Sequence, residues 1–165
     1  MERSPTLRAA TEADRPLLLA LFSTIRRGEF AALGWPPAQL DQFLAQQFTA
    51  QERHYAAHYP GAEHSIILHE GSDAGRLYLH RGADEIRLVD IGLLPEQRNR
   101  GIGRQLLERI QAQAAAAALP LRLSVTPDNP AQRLYRRLGF VPGVDDGAYL
   151  SMEWRAERAV KSAAS

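Results

Sequence analysis

The stretch LLPEQRNRGIGRQLLERI, residues 93–110, decides how the chain is read. Leu93 and Leu94 close an apolar run, Pro95 interrupts it, and Leu106, Leu107 and Ile110 then recur at helical spacing. A strand therefore passes into a helix across a turn that carries Arg98, Arg100 and Arg104 with Gly101 and Gly103. A helix N-terminus exposes unpaired N–H groups and the positive end of the helix dipole. Glycine lets a backbone approach closely, and guanidinium groups add charge and donors. Together these make a receptor for an anion, and a pyrophosphate suits them best.

Working outward, the anion site has to be local. The chain holds 20 Lys+Arg against 19 Asp+Glu in 165 residues, which gives no basic stripe of the kind nucleic-acid binding requires. With 45% apolar residues and one domain's length, a single packed core is expected over residues 1–155, followed by a mobile tail over 156–165 that lacks any core-forming pattern. The absence of cysteine excludes disulfides, thiolate metal sites and a covalent Cys intermediate. MERSPTLRAA lacks the apolar centre of a signal peptide, and no run approaches the ~20 apolar residues of a membrane span. The expectation is a soluble, cytoplasmic protein with no membrane partner.

Before the decisive stretch, Thr11 with Asp14 resembles a capping box, and Leu17, Leu18, Leu21, Phe22 and Ile25 mark a helix that ends near Gly28. Pro36 and Pro37 start a second helix, carried by Leu40, Phe43, Leu44 and Phe48 towards Tyr55 and stopped by Pro60 and Gly61. HSIILHE, GRLYLHR and EIRLVDIGLL then read as three strands separated by the turn signals GSDAG and GADE. After a helix over 101–118 come the strand LRLSV, a helix from Asn129 and Pro130, and two closing strands. The order β-α-α-β-β-β-α-β-α-β-β predicts an α/β (α+β) domain: a mixed, mostly antiparallel sheet of about seven strands flanked by four helices.

Two familiar phosphate loops do not fit. A dinucleotide fingerprint needs glycine where Leu106 stands, and a Walker loop needs Gly-Lys-Ser/Thr where Gly103 is followed by Arg104 and Gln105. Arg98-Asn99-Arg100-Gly101-Ile102-Gly103 instead resembles the (Gln/Arg)-x-x-Gly-x-(Gly/Ala) motif with which GNAT N-acetyltransferases grip the pyrophosphate of acetyl-CoA. NPAQRLYRRLGF, residues 129–140, resembles the second signature of that superfamily: a helix opened by Asn, a tyrosine on it, then Gly-Phe entering a strand. The resemblance spans about Leu7 to Trp154. It implies transfer of an acetyl group from acetyl-CoA to a primary amine, without a metal, by a protein that is a homodimer in many relatives. A CoA-binding sensor that does not catalyse is the alternative.

The resemblance also distributes roles. Backbone groups of Ile91, Leu93 and Leu94 would pair with the pantetheine arm, with an N–H near Leu93 facing the thioester oxygen. Arg98, Asn99, Arg100, Gly101, Ile102, Gly103 and Arg104 would hold the pyrophosphate. Tyr135 would protonate the leaving thiolate; it is otherwise a core tyrosine packed with Leu134 and Leu138. Asn129 would cap its helix and bond the pantetheine. Asp90 is preferred over Glu85 as the base, equally balanced against a buried structural carboxylate. The connection between the first two helices would wall the acceptor pocket, which makes Glu29 and Trp35 candidates for meeting the amine, against a solvated charge and a packing anchor. His54 and His58 share a helix face but lack a third ligand, so no metal is expected.

Overall fold

A computed structural model describes residues 4–157. Of the tail expected over 156–165, residues 158–165 lie outside the described residues. The elements follow the expected order: β1 (Thr6–Ala9), α1 (Arg15–Phe30), α2 (Pro37–His58), β2 (Glu63–His69), β3 (Ser72–Arg81), β4 (Ile86–Leu93), α3 (Ile102–Ala117), β5 (Leu121–Val125), α4 (Ala131–Arg137), β6 (Val141–Asp145) and β7 (Leu150–Trp154). They build one seven-stranded sheet in the order β1-β2-β3-β4-β5-β7-β6. Every neighbouring pair is antiparallel except β4 with β5, which α3 connects as a crossover.

Side-chain alternation explains the three layers. Ile66 and Ile67 are successive residues of β2, both fully buried, and they enter different apolar clusters because neighbouring strand residues point to opposite faces. On one face Ile66 meets Leu18 and Phe22 of α1 with Leu40, Leu44 and Phe48 of α2. On the other, Ile67 joins Ile102, Leu106, Leu107 and Ile110 of α3, Tyr135 of α4 and the inward residues of β3, β4, β5 and β7. Burying a side chain of the size of Phe48 or Leu106 contributes roughly 1.5–3 kcal/mol. These two faces therefore fix which helix lies on which side.

Several boundaries differ from expectation for local reasons. α1 runs through Gly28 to Phe30, and a 3-10 turn over Ala31–Leu33 then ends on Gly34 at φ 66°. Its start is a 3-10 turn at Glu12–Asp14, where the Thr11 N–H donates to Asp14 Oδ2 at 2.9 Å and Arg8 of β1 grips both Asp14 oxygens at 2.9 and 2.8 Å. The turn between β2 and β3 is Glu70-Gly71, both at positive φ (52° and 81°), so most of GSDAG belongs to β3. Two positive-φ residues match the twist of a two-residue hairpin.

Gly75, shared in the sequence between the turn signal GSDAG and the strand GRLYLHR, lies inside β3 where a Cβ would be 2.0 Å from the Gly92 carbonyl oxygen. Gly28 has open space around its Cβ position and an ordinary helical φ. Gly75→Ala should therefore destabilise by about 1–3 kcal/mol or more, while Gly28→Ala should stabilise by about 0.5–1 kcal/mol. Denaturant unfolding of the two variants checks both signs; an unchanged midpoint for Gly75→Ala would contradict the strand placement.

Candidate active site

The parallel pairing of β4 with β5 lasts only from Ile86 opposite Leu121 to Leu88 opposite Leu123. At that point β4 carries one extra residue: Tyr78 of β3 faces Asp90 and Leu79 faces Leu88, which leaves Val89 without a partner. Such a β-bulge bends the strand that carries it, and beyond it β4 and β5 no longer pair. The gap between them opens into a cleft of about 630 Å³ lined by Val89, Asp90, Ile91 and Gly92 on one side and Ser124, Val125, Thr126, Asn129 and Tyr135 on the other.

The edge that β4 presents to this cleft is chemically unfinished. The Leu94 N–H donates to the Ala74 carbonyl at 2.8 Å, and Leu93 stands opposite Gly75. Antiparallel strands alternate between paired and unpaired backbone positions, so the N–H and C=O groups of Leu93 and Ile91 turn away from β3 and towards the gap. The Leu93 carbonyl accepts from Arg98 Nε at 3.1 Å. Of the three backbone positions assigned to a pantetheine arm, Ile91 and Leu93 thus face the right way, whereas the Leu94 N–H is committed to β3.

Past Leu94 the chain makes a 3-10 turn over Pro95–Gln97 and reaches α3 through Asn99 and Gly101, both at positive φ (62° and 79°). Gly101 is the N-cap of α3, where any L side chain would be strained. Arg98, Asn99, Arg100 and Arg104 are exposed around this turn; Arg104 has only a long contact to Glu108 (3.8 Å). Ile102 is buried in the core beneath them. A Cβ at Gly103 would meet Leu134 of α4 at 3.9 Å, an ordinary van der Waals contact, so helix packing does not by itself require glycine there. The loop lies beyond the β4 wall and does not itself line the cleft.

Across the gap, Asn129 Oδ1 accepts from the Ala131 N–H at 2.9 Å, the expected cap of α4, and Gln132 Nε2 ties the preceding loop by bonding the Thr126 carbonyl at 3.0 Å. Tyr135 is 6% exposed, its ring 5.6 Å from that of Phe140, yet it lines the cleft. Burial first, and the charge of Asp90 second, push its phenol up to about 12. The hydroxyl keeps its proton at every physiological pH.

Asp90 is held by Arg76 of β3, whose Nε donates to Asp90 Oδ2 at 3.0 Å. Arg76 is itself 5% exposed; it also donates to Gln51 Oε1 of α2 at 2.6 Å and lies 5.9 Å over the ring of Tyr55. Both Arg76 contacts fall on Oδ2, which leaves Oδ1 free of Arg76, and Asp90 lines the cleft. Burial, then the Arg76 charge, lowers the imidazole of nearby His64 to about 4, so it adds no cation there. Glu85 stands apart from the cleft, fixed by Arg87 at 2.7 Å and Arg122 at 3.1 Å.

Glu29 and Trp35 do not reach the cleft. Trp35 stacks on Phe30 (6.5 Å between rings) and meets Phe43 edge-on (5.2 Å), and Glu29 is exposed on the last turn of α1. The physical reason is the extra length of α1, which carries this connection past the cleft. The wall is made instead by Leu21, Phe22, Ile25 and Arg26 of α1 with Gln47, Gln51, His54 and Tyr55 of α2. His54 and His58 stack at 4.0 Å, and among the described residues no group of three or more metal-ligating side chains forms.

Residues 60–142 match the family model of the acetyltransferase (GNAT) domain. The chain belongs to that family. Solved structures agree on the fold. A PaiA N-acetyltransferase from Thermoplasma acidophilum in complex with coenzyme A aligns at TM-score 0.69 and 18% identity, over 93% of this chain and 99% of that one. An acetyltransferase from Thermus thermophilus aligns at 0.67 and 24%, over 94% and 99%, and a GNAT family acetyltransferase from Elizabethkingia anophelis with acetyl-CoA bound at 0.55 and 16%, over 92% and 98%. A search of curated proteins found no match. No helix of this GNAT domain is, among the described residues, long and apolar enough to cross a membrane.

In this GNAT domain the Arg76–Asp90 pair is a buried charge balanced by a half-buried one. Removing either partner alone leaves the other uncompensated, so the Arg76→Met, Asp90→Leu double variant should lose less stability than the sum of the two single losses. A coupling of about 0.5–3 kcal/mol is expected from a double-mutant cycle in urea. Strict additivity would mean that the pair does not interact in solution.

Proposed function

We propose that the protein is an acetyl-CoA-dependent N-acetyltransferase that moves the acetyl group directly onto a primary amine. The observation that supports this most is the gap between β4 and β5, lined by Ile91 of the unpaired β4 edge on one side and by Tyr135 on the other. Acetyl-CoA would supply an activated thioester carbonyl. The residues fit such a molecule: the open β4 edge suits an amide-bearing arm as a strand would, and the Gly101 cap with Arg98, Arg100 and Arg104 suits a pyrophosphate. The chain has no cysteine to carry an acyl group between substrates, which favours direct transfer.

Each residue's part follows from its place. The Leu93 or Ile91 N–H would donate to the carbonyl oxygen as negative charge gathers on it. The free Oδ1 of Asp90 would take the amine's proton through water, its carboxylate held in position by Arg76. As the new C–N bond forms and the C–S bond breaks, Tyr135 would give its proton to the departing sulfur and regain one from solvent. A phenol raised to about 12 is a weaker acid than a thiol near 8.5. Transfer to the thiolate is thus uphill by itself, so Tyr135 would first donate a hydrogen bond to the sulfur, and a proton passed on would have to be replaced at once from solvent.

Tyr135→Phe keeps the ring packed on Phe140, so kcat should fall about 10²–10⁴-fold with CoA affinity and melting temperature retained. Wild-type kcat should show no loss from Tyr135 deprotonation up to about pH 11, because the raised phenol stays protonated there. Unchanged turnover in the Phe variant would remove Tyr135 from the chemistry. For the anion site, joint replacement of Arg98 and Arg104 by Gln should raise the acetyl-CoA KM more than it lowers kcat, and added salt should mimic it. Binding of CoA without turnover of any amine would favour the sensor alternative.

A further inference from the structure

Three arginines line the cleft, and two of them are spoken for: Arg76 holds Asp90 at 3.0 Å and Arg87 holds Glu85 at 2.7 Å. The third, Arg26 of α1, has no carboxylate or carbonyl partner among the described residues. Its guanidinium rests 4.8 Å over the ring of Phe22, half-buried, with its donors left for whatever enters. Its neighbour Arg27 points elsewhere and pairs with Asp41. An unpaired guanidinium within a cleft is a receptor for a carboxylate, which it can meet with two parallel hydrogen bonds.

We propose that the acceptor is a small amine that also carries a carboxylate, of the amino-acid type, with Arg26 gripping the carboxylate while the amine faces Asp90 and Tyr135. This rests on the transferase reading above. Charge distribution favours a zwitterion over a diamine. The Asp90 carboxylate beside Tyr135 suits an ammonium group, whereas the α1 wall offers a lone cation that would repel a second one. Arg26, Tyr55, Arg76 and Asp90 all line this one cleft, with Arg76 lying 5.9 Å over the Tyr55 ring. The aromatic surface of Phe22 and Tyr55 between them would cover an apolar side chain.

The test pairs each common amino acid with its own amide and reads released CoA thiol. The two differ in the carboxylate charge, and the less basic amine of the amide biases the comparison against the proposal. Wild-type kcat/KM should favour the acid by about 10- to 100-fold for the accepted side chains, the value of one charged hydrogen-bonded contact. Arg26→Gln should erase that preference through a higher acceptor KM with acetyl-CoA KM and melting temperature unchanged, and Arg26→Lys should restore part of it. Equal use of acids and amides by the wild type, or a preference that survives Arg26→Gln, would overturn this inference alone. Thiol release with no amine of any kind would overturn it together with the transferase reading.

Discussion

The sheet of this protein is interrupted at its centre, and the rest of the molecule is arranged around that interruption. β4 and β5 pair through three residues, from Ile86 to Leu88, and then part. Parallel strands need a crossover between them, so α3 must connect β4 to β5; α4 follows β5, and both helices start beyond the C-terminal ends where the strands diverge. Unpaired strand edges in the interior of a sheet are costly unless something bonds them. The Leu93 carbonyl is met by Arg98, and the backbone of Ile91 and the Leu93 N–H are left to water or to an extended ligand.

The bulge at Val89 is coupled to a second constraint, the charge beneath the cleft. Because β4 gains a residue there, Asp90 comes opposite Tyr78 on β3 and can take a bond from Arg76 two residues away along that strand. A guanidinium as buried as that of Arg76 is tolerable only with its donors occupied, and Asp90, Gln51 and the ring of Tyr55 surround it. Replacing these groups by well-packed apolar ones would cost stability little. Their retention orients the carboxylate and links α2 to the sheet at the point where an acceptor would lie.

The element order and the fold class were legible along the chain, because turn glycines, a helix-opening Asn-Pro and apolar periodicity are local signals. What was not legible depends on register. Gly75 stood in both the turn signal GSDAG and the strand GRLYLHR, yet Glu70-Gly71 alone closes the hairpin and Gly75 is needed where two backbones nearly touch. Arg26 and Arg76 carried no motif: their importance arises from side-chain direction in elements some fifty residues apart, which no pattern along the chain encodes. Glu29 and Trp35 were assigned to the pocket on the assumption that α1 stops at Gly28. Packing of Phe30 with Trp35 and Phe43 overrides the weak helix propensity of that glycine and moves the connection away.

A two-substrate transfer needs two approaches that meet without crossing, and the layer arrangement supplies them. The cleft is lined from one face of the sheet by Phe22 and Arg26 of α1 and from the other by Tyr135 of α4, so the gap between β4 and β5 passes through the sheet. The anion loop sits on the α3 side and the lone guanidinium on the α1 side. A long phosphorylated donor would then enter along the unpaired edge of β4 from one face, while a small acceptor entered from the other, and the sheet itself would keep them apart except where the strands separate. On the proposed direct transfer, this separation would let both be held at once, and holding both is what would allow an acyl group to move in one step to an amine without first resting on the protein.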